Sequence, residues 1–278
     1  MEEIKNHNMN IIKPASGLSL IKLKELWLYR ELLYFLVWRD IKVRYKQTVI
    51  GGAWAVIQPF TSMVIFSIFL GKLAHVPSGG LPYPIFAYAA LVPWTYFANS
   101  LTQATNSLVE HRGVITKIYF PHLLLPLSSI LSGLLDFCIA FLVLIGMMFF
   151  YHIMPNPYVW MAPFFLILLI ITVFAVSLWL SALNVEYRDV HYVAGFLVQI
   201  WLFATPIVYP ASIVPEKWRF LYGLNPMVGI IEGFRYVLLG GDFPQVKMLL
   251  VSICTIFLLF VGGLFYFQRL EENFADIV

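Results

Sequence analysis

The sequence predicts an all-α integral membrane protein with six transmembrane helices, an N-terminal interfacial helix and two short re-entrant helices between helices five and six. Three observations carry this. Hydrophobic residues fill 60% of the 278 positions and charged residues only 12%. The apolar residues gather into stretches long enough to cross a hydrocarbon core about 30 Å thick, which takes roughly 20 residues of helix. Nearly every lysine and arginine falls between those stretches. Inside lipid the backbone must bond to itself, so such stretches form a helical bundle.

The elements follow in order. Residues 1–17 are polar and read as a mobile tail, without the compact apolar core of a cleavable signal peptide. Residues 18–47 read as one helix, in which Trp27, Tyr29, Tyr34 and Trp38 are set among Lys22, Lys24, Arg30, Arg39 and Lys42. The apolar run Leu32–Trp38 is too short to span, and aromatics flanked by cations suit a helix at the cytoplasmic headgroup level. A soluble helix packed on a partner would share that pattern. Residues 48–278 form a single transmembrane domain.

The first span is Val49–Gly71, entered through Gly51-Gly52 and carrying Gln58-Pro59 within it. The second, Tyr83–Leu108, holds Pro84 and Pro93, either of which can kink or end a helix. The third, Leu123–Tyr151, carries one charge, Asp136, and the fourth is Tyr158–Val185. The fifth, Tyr192–Tyr209, has little length to spare, and the sixth is Met248–Gln268. Before the sixth, Phe220–Gly240 is apolar but broken by Gly223 and Asn225-Pro226. Irregular backbone at membrane depth persists only when shielded by protein or lining a cavity, so two short helices that dip in and return are expected there. Glu232 and Arg235 stand at i, i+3 spacing within it, close enough to pair. Cys138 and Cys254 fall in spans and read as small buried hydrophobes.

Six spans with both termini inside place thirteen of the eighteen lysines and arginines on the cytoplasmic face, as the positive-inside rule requires. The net charge of +3 is therefore topological and gives no reason to expect nucleic acid as a partner.

Chemistry is sparse. Gly71-Lys72 lacks the upstream glycine and following Ser or Thr of a phosphate loop. The six histidines have no HxxxH or HExxH ligand spacing. No catalytic residue, metal site or cofactor is expected in this chain. Lone Asp136 is either a functional intramembrane acid or a hydrogen-bonded structural group. Thr95, Asn99, Thr102 and Asn106, with Gln103 beside them, repeat at helical spacing along one face of span two. Span one carries Trp54, Gln58 and Thr61 in the same manner, and span five carries Tyr192, Phe196, Gln199 and Phe203. Rings that stack on sugar C–H faces, mixed with amides that bond hydroxyls, suit a sugar, and three such faces suit a passage. Amides and hydroxyls also hold transmembrane helices together, and the pattern alone permits both. Two short charged loops, Glu110–His122 and Glu186–His191, share the cytoplasmic side. The first contains Val114, Ile115, Ile118, Tyr119 and Phe120, and an apolar content of this kind suggests a short helix that docks a cytoplasmic partner.

At these residues the chain resembles the membrane subunit of ABC-type (ABC-2) polysaccharide exporters, the group that moves O-antigen, capsular polysaccharide or teichoic acid. The matching stretches are Arg39–Phe60 (RDIKVRYKQTVIGGAWAVIQPF), Val92–Phe97 (VPWTYF) and Lys117–Pro126 (KIYFPHLLLP). Further along come Asn184–Val190 (NVEYRDV), Gln199–Tyr209 (QIWLFATPIVY) and Asn225–Gly240 (NPMVGIIEGFRYVLLG). The resemblance implies a multi-pass inner-membrane permease that pairs with a second copy of itself. It also implies two copies of a separate cytoplasmic ATPase that binds ATP–Mg, and a lipid-linked polysaccharide cargo. Carried over, Lys117, Tyr119, Phe120 and Pro121, with Glu186, Tyr187, Arg188 and Asp189, face the ATPase. Asn225, Pro226, Phe234 and Arg235 fall in the gate region, and spans one and five line the channel. Rival readings are an ABC-2 exporter of small hydrophobic compounds and a membrane-embedded glycosyl or acyl transferase. The second would need acids clustered on one face, and Asp136, Asp189, Glu232 and Asp242 are scattered. A secondary carrier should show inverted repeats, which the sequence lacks.

Overall fold

The computed structural model describes residues 23–46, 51–117, 119–241 and 243–271. The tail expected over 1–17, the start of span one at Val49, Ile118 and Asp242 lie outside the described residues. The described residues form helices and connecting turns, with no strand among them.

The amino-terminal helices are α1 (Leu23–Leu28) and α2 (Arg30–Lys46). A short turn of 3₁₀ helix, Gly51–Ala53, leads into α3 (Trp54–Phe66), which continues as a π-helical stretch over Ser67–Leu73. Next come α4 (Tyr83–Glu110), α5 (Arg112–Ile115), α6 (Leu124–Phe150) and α7 (Ala162–Glu186). The remainder is α8 (Val190–Phe203), α9 (Glu216–Tyr222), α10 (Pro226–Leu239) and α11 (Val246–Glu271). Among the described residues four stretches have both the length and the composition of membrane spans: Gly51–Leu73, Leu124–Phe150, Pro157–Glu186 and Val246–Glu271. At 28 residues α4 is as long as these but more polar, and α8, at 14, is shorter.

The two prolines of α4 act differently. Pro84 sits in the first turn, where its missing N–H costs nothing, and Pro93 is carried inside an unbroken helix. The fold is organised around α4, which packs against α3, α6, α7, α8 and α10. Tyr88, Phe97, Leu91 and Leu101 on α4 are fully buried, as is Phe165 on α7. A second apolar cluster, at the opposite end from Tyr83, joins Leu36 of α2 to Leu108, Leu124, Leu125, Leu178 and Phe267.

Small residues bring the helices close. A Cβ on Gly133 of α6 would lie 2.4 Å from Ser100 Oγ of α4, and one on Gly233 of α10 would lie 2.0 Å from the Phe165 ring. Close backbone approach through small residues is the usual way that helices associate in lipid. Cys138 and Cys254 correct one expectation, for both are free and exposed. They lie on outward faces of α6 and α11, where lipid takes the place of a buried partner for a small apolar thiol.

Candidate functional site

On α4 the polar stripe is the one edge left partly open. Thr95, Asn99, Thr102, Gln103 and Asn106 are half-buried on a helix whose remaining faces are almost wholly covered. The helices beside this edge are α3 and α8, both thinly packed. Only 11% of the most apolar part of Gly51–Leu73 is buried, and Ala194 is the single buried residue of α8. Asn99 Nδ2 donates to Gln58 Oε1 of α3 at 3.1 Å. His191 Nδ1 lies 2.9 Å from Asn106 Oδ1, which also accepts from Asn184 Nδ2 of α7 at 3.2 Å. The stripe thus touches both flanking helices.

Trp54, Gln58 and Thr61 are all exposed. With Ile57 and Ser62 they line an open groove of about 480 Å³. On α8, Tyr192, Phe196, Gln199 and Phe203 are exposed too, spaced to follow one edge. The structure therefore turns outward each residue proposed from sequence to line a passage. Amides and hydroxyls on a lipid-facing edge would lack partners and cost free energy, so these edges belong against water or another protein.

The two charged loops lie at the same end of the bundle, tied there by Asn184 Nδ2 donating to Thr105 O at 3.0 Å. Glu186, Tyr187, Arg188 and Asp189 are all exposed in the turn between α7 and α8. The Glu186 carboxylate bonds the Tyr187 hydroxyl and raises its pKa, so the phenol stays protonated. The other loop divides. Lys117 and Tyr119 face outward and Pro121 is half-buried, whereas Phe120 and Ile115 are buried in the cluster that contains Leu36 and Leu124. Much of the loop's apolar content therefore packs on its own protein, and among the described residues Val114 and Tyr119 remain of the apolar surface expected to meet a partner.

The gate candidates also divide. Asn225 caps α10, accepting from Met227 N at 3.0 Å. Its amide also accepts from Trp201 Nε1 at 2.9 Å and donates to Ala204 O and Thr205 Oγ1 at 3.0 and 2.9 Å. Phe234 and Arg235 are 2% and 5% exposed and do not border an opening. Arg235 instead closes the unwound backbone after α8, donating to Pro206 O and Ile207 O at 2.6 Å each and to Phe86 O at 3.3 Å. Its guanidinium lies 3.6 Å from the Phe86 ring centre and pairs with Glu232 at 3.0 Å, as the i, i+3 spacing anticipates. Tyr83 Oη supplies a further donor, to Val208 O at 2.7 Å. The Pro206, Ile207 and Val208 carbonyls lie beyond the end of α8 and lack helical N–H partners, so a buried cation and a phenol take that place.

One constellation was invisible in sequence. Asp136, on α6, is paired with Arg44 and accepts a hydrogen bond from Tyr45, both on α2. Arg44 also bonds Gln103 of α4 and, at 3.3 Å, Ser132 Oγ. One α-turn earlier Asp40 accepts from Ser128 Oγ at 3.1 Å. The matched steps along α2 and α6 mean that α2 runs beside α6 from its amino-terminal end to its middle. Asp136 is therefore hydrogen-bonded and paired across two helices. Its partner is a cation rather than a neighbouring hydroxyl alone.

These features agree with what the chain is similar to. It is 30% identical over 253 residues to the O-antigen export system permease protein RfbA of Klebsiella pneumoniae, covering 89% of this chain and 95% of the relative. The protein of that name in Myxococcus xanthus is 26% identical over 92% of this chain and 98% of the relative. The polysialic acid transport protein KpsM of Escherichia coli is 24% identical over 84% and 91%. Residues 31–239, well over half of its length, match the family described as ABC-2 type transporter, and the chain belongs to that family.

Proposed function

We propose that the chain is the membrane subunit of an ATP-driven exporter that moves a lipid-linked polysaccharide, most closely of the O-antigen kind, across the inner membrane. Two copies work with two copies of a separate cytoplasmic ATPase that carries ATP–Mg. In this reading α4 and α8 cross the membrane with the four apolar spans, making six. Both termini are cytoplasmic, and α9 and α10 form the re-entrant pair. The observation that carries the proposal is the set of outward polar and aromatic edges: Trp54, Gln58 and Thr61 on α3, the α4 stripe, and Tyr192, Phe196, Gln199 and Phe203 on α8. Set against the same edges of a second copy, they enclose a passage whose rings stack weakly on successive sugars while amides exchange hydrogen bonds. Weak, repeated contacts let a polymer advance, where tight ones would stall it.

The cytoplasmic turn Glu186–Asp189, with Lys117 and Tyr119, is where the ATPase presses. ATP binding there moves α7 and α8 together, since only three residues separate them. The test is surface polysaccharide in cells carrying Trp54→Ala or Phe203→Ala, with the variant present at wild-type level and still co-purifying with its ATPase. Export should fall in both. Unchanged polymer in both would remove the aromatic passage.

A further inference from the structure

The end of α3 carries a feature that a polymer passage does not use. Phe60, Met63 and Val64 on α3, Ile68 in the π-helical stretch that follows it, Pro84 on α4, and Val143, Met147 and Phe150 on α6 line an apolar groove of about 600 Å³. Its outer rim is polar, formed by Lys72 and Tyr151. Phe60 to Lys72 is twelve residues, about 18 Å of helix at 1.5 Å per residue. That is close to one leaflet of a hydrocarbon core about 30 Å thick. The rim lies in the π-helical stretch Ser67–Leu73, and π turns inside helices recur at functional sites.

Lys72 is exposed. Among the described residues it makes no hydrogen bond or ion pair. The walls carry no carboxylate to balance it, because the sequence has no Asp or Glu between residues 41 and 109 or between 137 and 185. Those segments supply every wall of the groove. The site therefore offers a cation for a phosphate and no anion for the ammonium of a zwitterionic headgroup.

We propose that this groove binds one anionic diacyl phospholipid. An acyl chain lies along Met63, Val64, Val143 and Met147, and the phosphate meets Lys72 with Tyr151 beside it. The lipid then wedges the thinly packed α3 against α6 and sets its position relative to α4.

The test uses the full-length chain, purified from membranes with any ATPase it carries, and titrated with phosphatidylglycerol or phosphatidylethanolamine under native mass spectrometry. Phosphatidylglycerol should bind more tightly. Lys72→Gln should weaken it about fivefold, as expected for one surface lysine on an anionic lipid, and Lys72→Arg should retain it. Gly146 lines the groove and a Cβ there has no neighbour within 4 Å, so Gly146→Trp starts a side chain into open space and should remove binding of both lipids. Equal affinity for the two lipids, or an unchanged Lys72→Gln variant, would overturn the proposal. So would displacement of phosphatidylglycerol by lower concentrations of a polyprenyl phosphate, or disulfide cross-linking of Gly146→Cys between two copies, which would put another occupant there.

Discussion

Replacing Arg235 by Met preserves length and most of the packing but removes the cation. Arg235 is 5% exposed and holds Glu232 at 3.0 Å, Pro206 O and Ile207 O at 2.6 Å, and the Phe86 ring. Breaking a buried pair from one side costs about 3–5 kcal/mol, and each orphaned carbonyl about 1–3 kcal/mol. These losses overlap, so Arg235→Met should destabilise the fold by about 4–6 kcal/mol. At roughly 2–4 °C per kcal/mol for a chain of about this size, the unfolding midpoint should drop by about 8–24 °C. The assay is thermal unfolding in detergent, followed by size-exclusion of the surviving fold, with Glu232→Gln and the double variant alongside. Removing the carboxylate as well relieves the unpaired charge, so the double variant should be less destabilised than the sum of the singles by about 2 kcal/mol. Arg235→Lys should rescue only in part, since an ammonium lacks the fork that reaches separate carbonyls. A midpoint for Arg235→Met within about 2 °C of wild type, which the same scale equates to under 1 kcal/mol, would refute the reasoning, and so would strict additivity with Glu232→Gln.

Two further outcomes follow from the packing. Gly233→Ala drives a Cβ to 2.0 Å from the Phe165 ring, an overpacking that should cost about 1–3 kcal/mol. Adding Phe165→Leu should recover part of the loss in the same unfolding assay. Asp136→Asn weakens the Arg44 pair and the Tyr45 bond; because each partner of the pair is a little over one-fifth exposed, the cost should be about 1–3 kcal/mol. A cycle with Arg44→Gln should show coupling, and independence of the two sites would count against the pairing.

What sequence could reveal here follows from what is periodic or local. The polar edges of α3, α4 and α8 were legible because residues at i, i+4, i+7 and i+11 must share a helix face, whatever that face meets. The break before α10 was legible because Asn225-Pro226 combines a cap with a first-turn proline, both of which α10 uses. Glu232 and Arg235 were legible as a pair by spacing alone. Arg44 and Asp136 lie 92 residues apart, and no local pattern joins them. Arg235's other partners are backbone carbonyls, which any sequence has, so its burial left no trace in the sequence. Phe120 and Ile115 looked available to a partner because a loop's apolar residues do not say which way they turn. The cysteines misled for a related reason, since in lipid an apolar side chain loses little by facing outward.

Consider last how α8 is fastened. One end is held by the contact of His191 with Asn106. The other is held by Asn225 and by Arg235 on the carbonyls just beyond Phe203. Between those anchors a single alanine is buried. A rod pinned at both tips and loose along its middle flexes like a bowstring rather than swinging like a door. Its largest excursion is therefore expected near Phe196 and Gln199, midway along the edge proposed to line the passage.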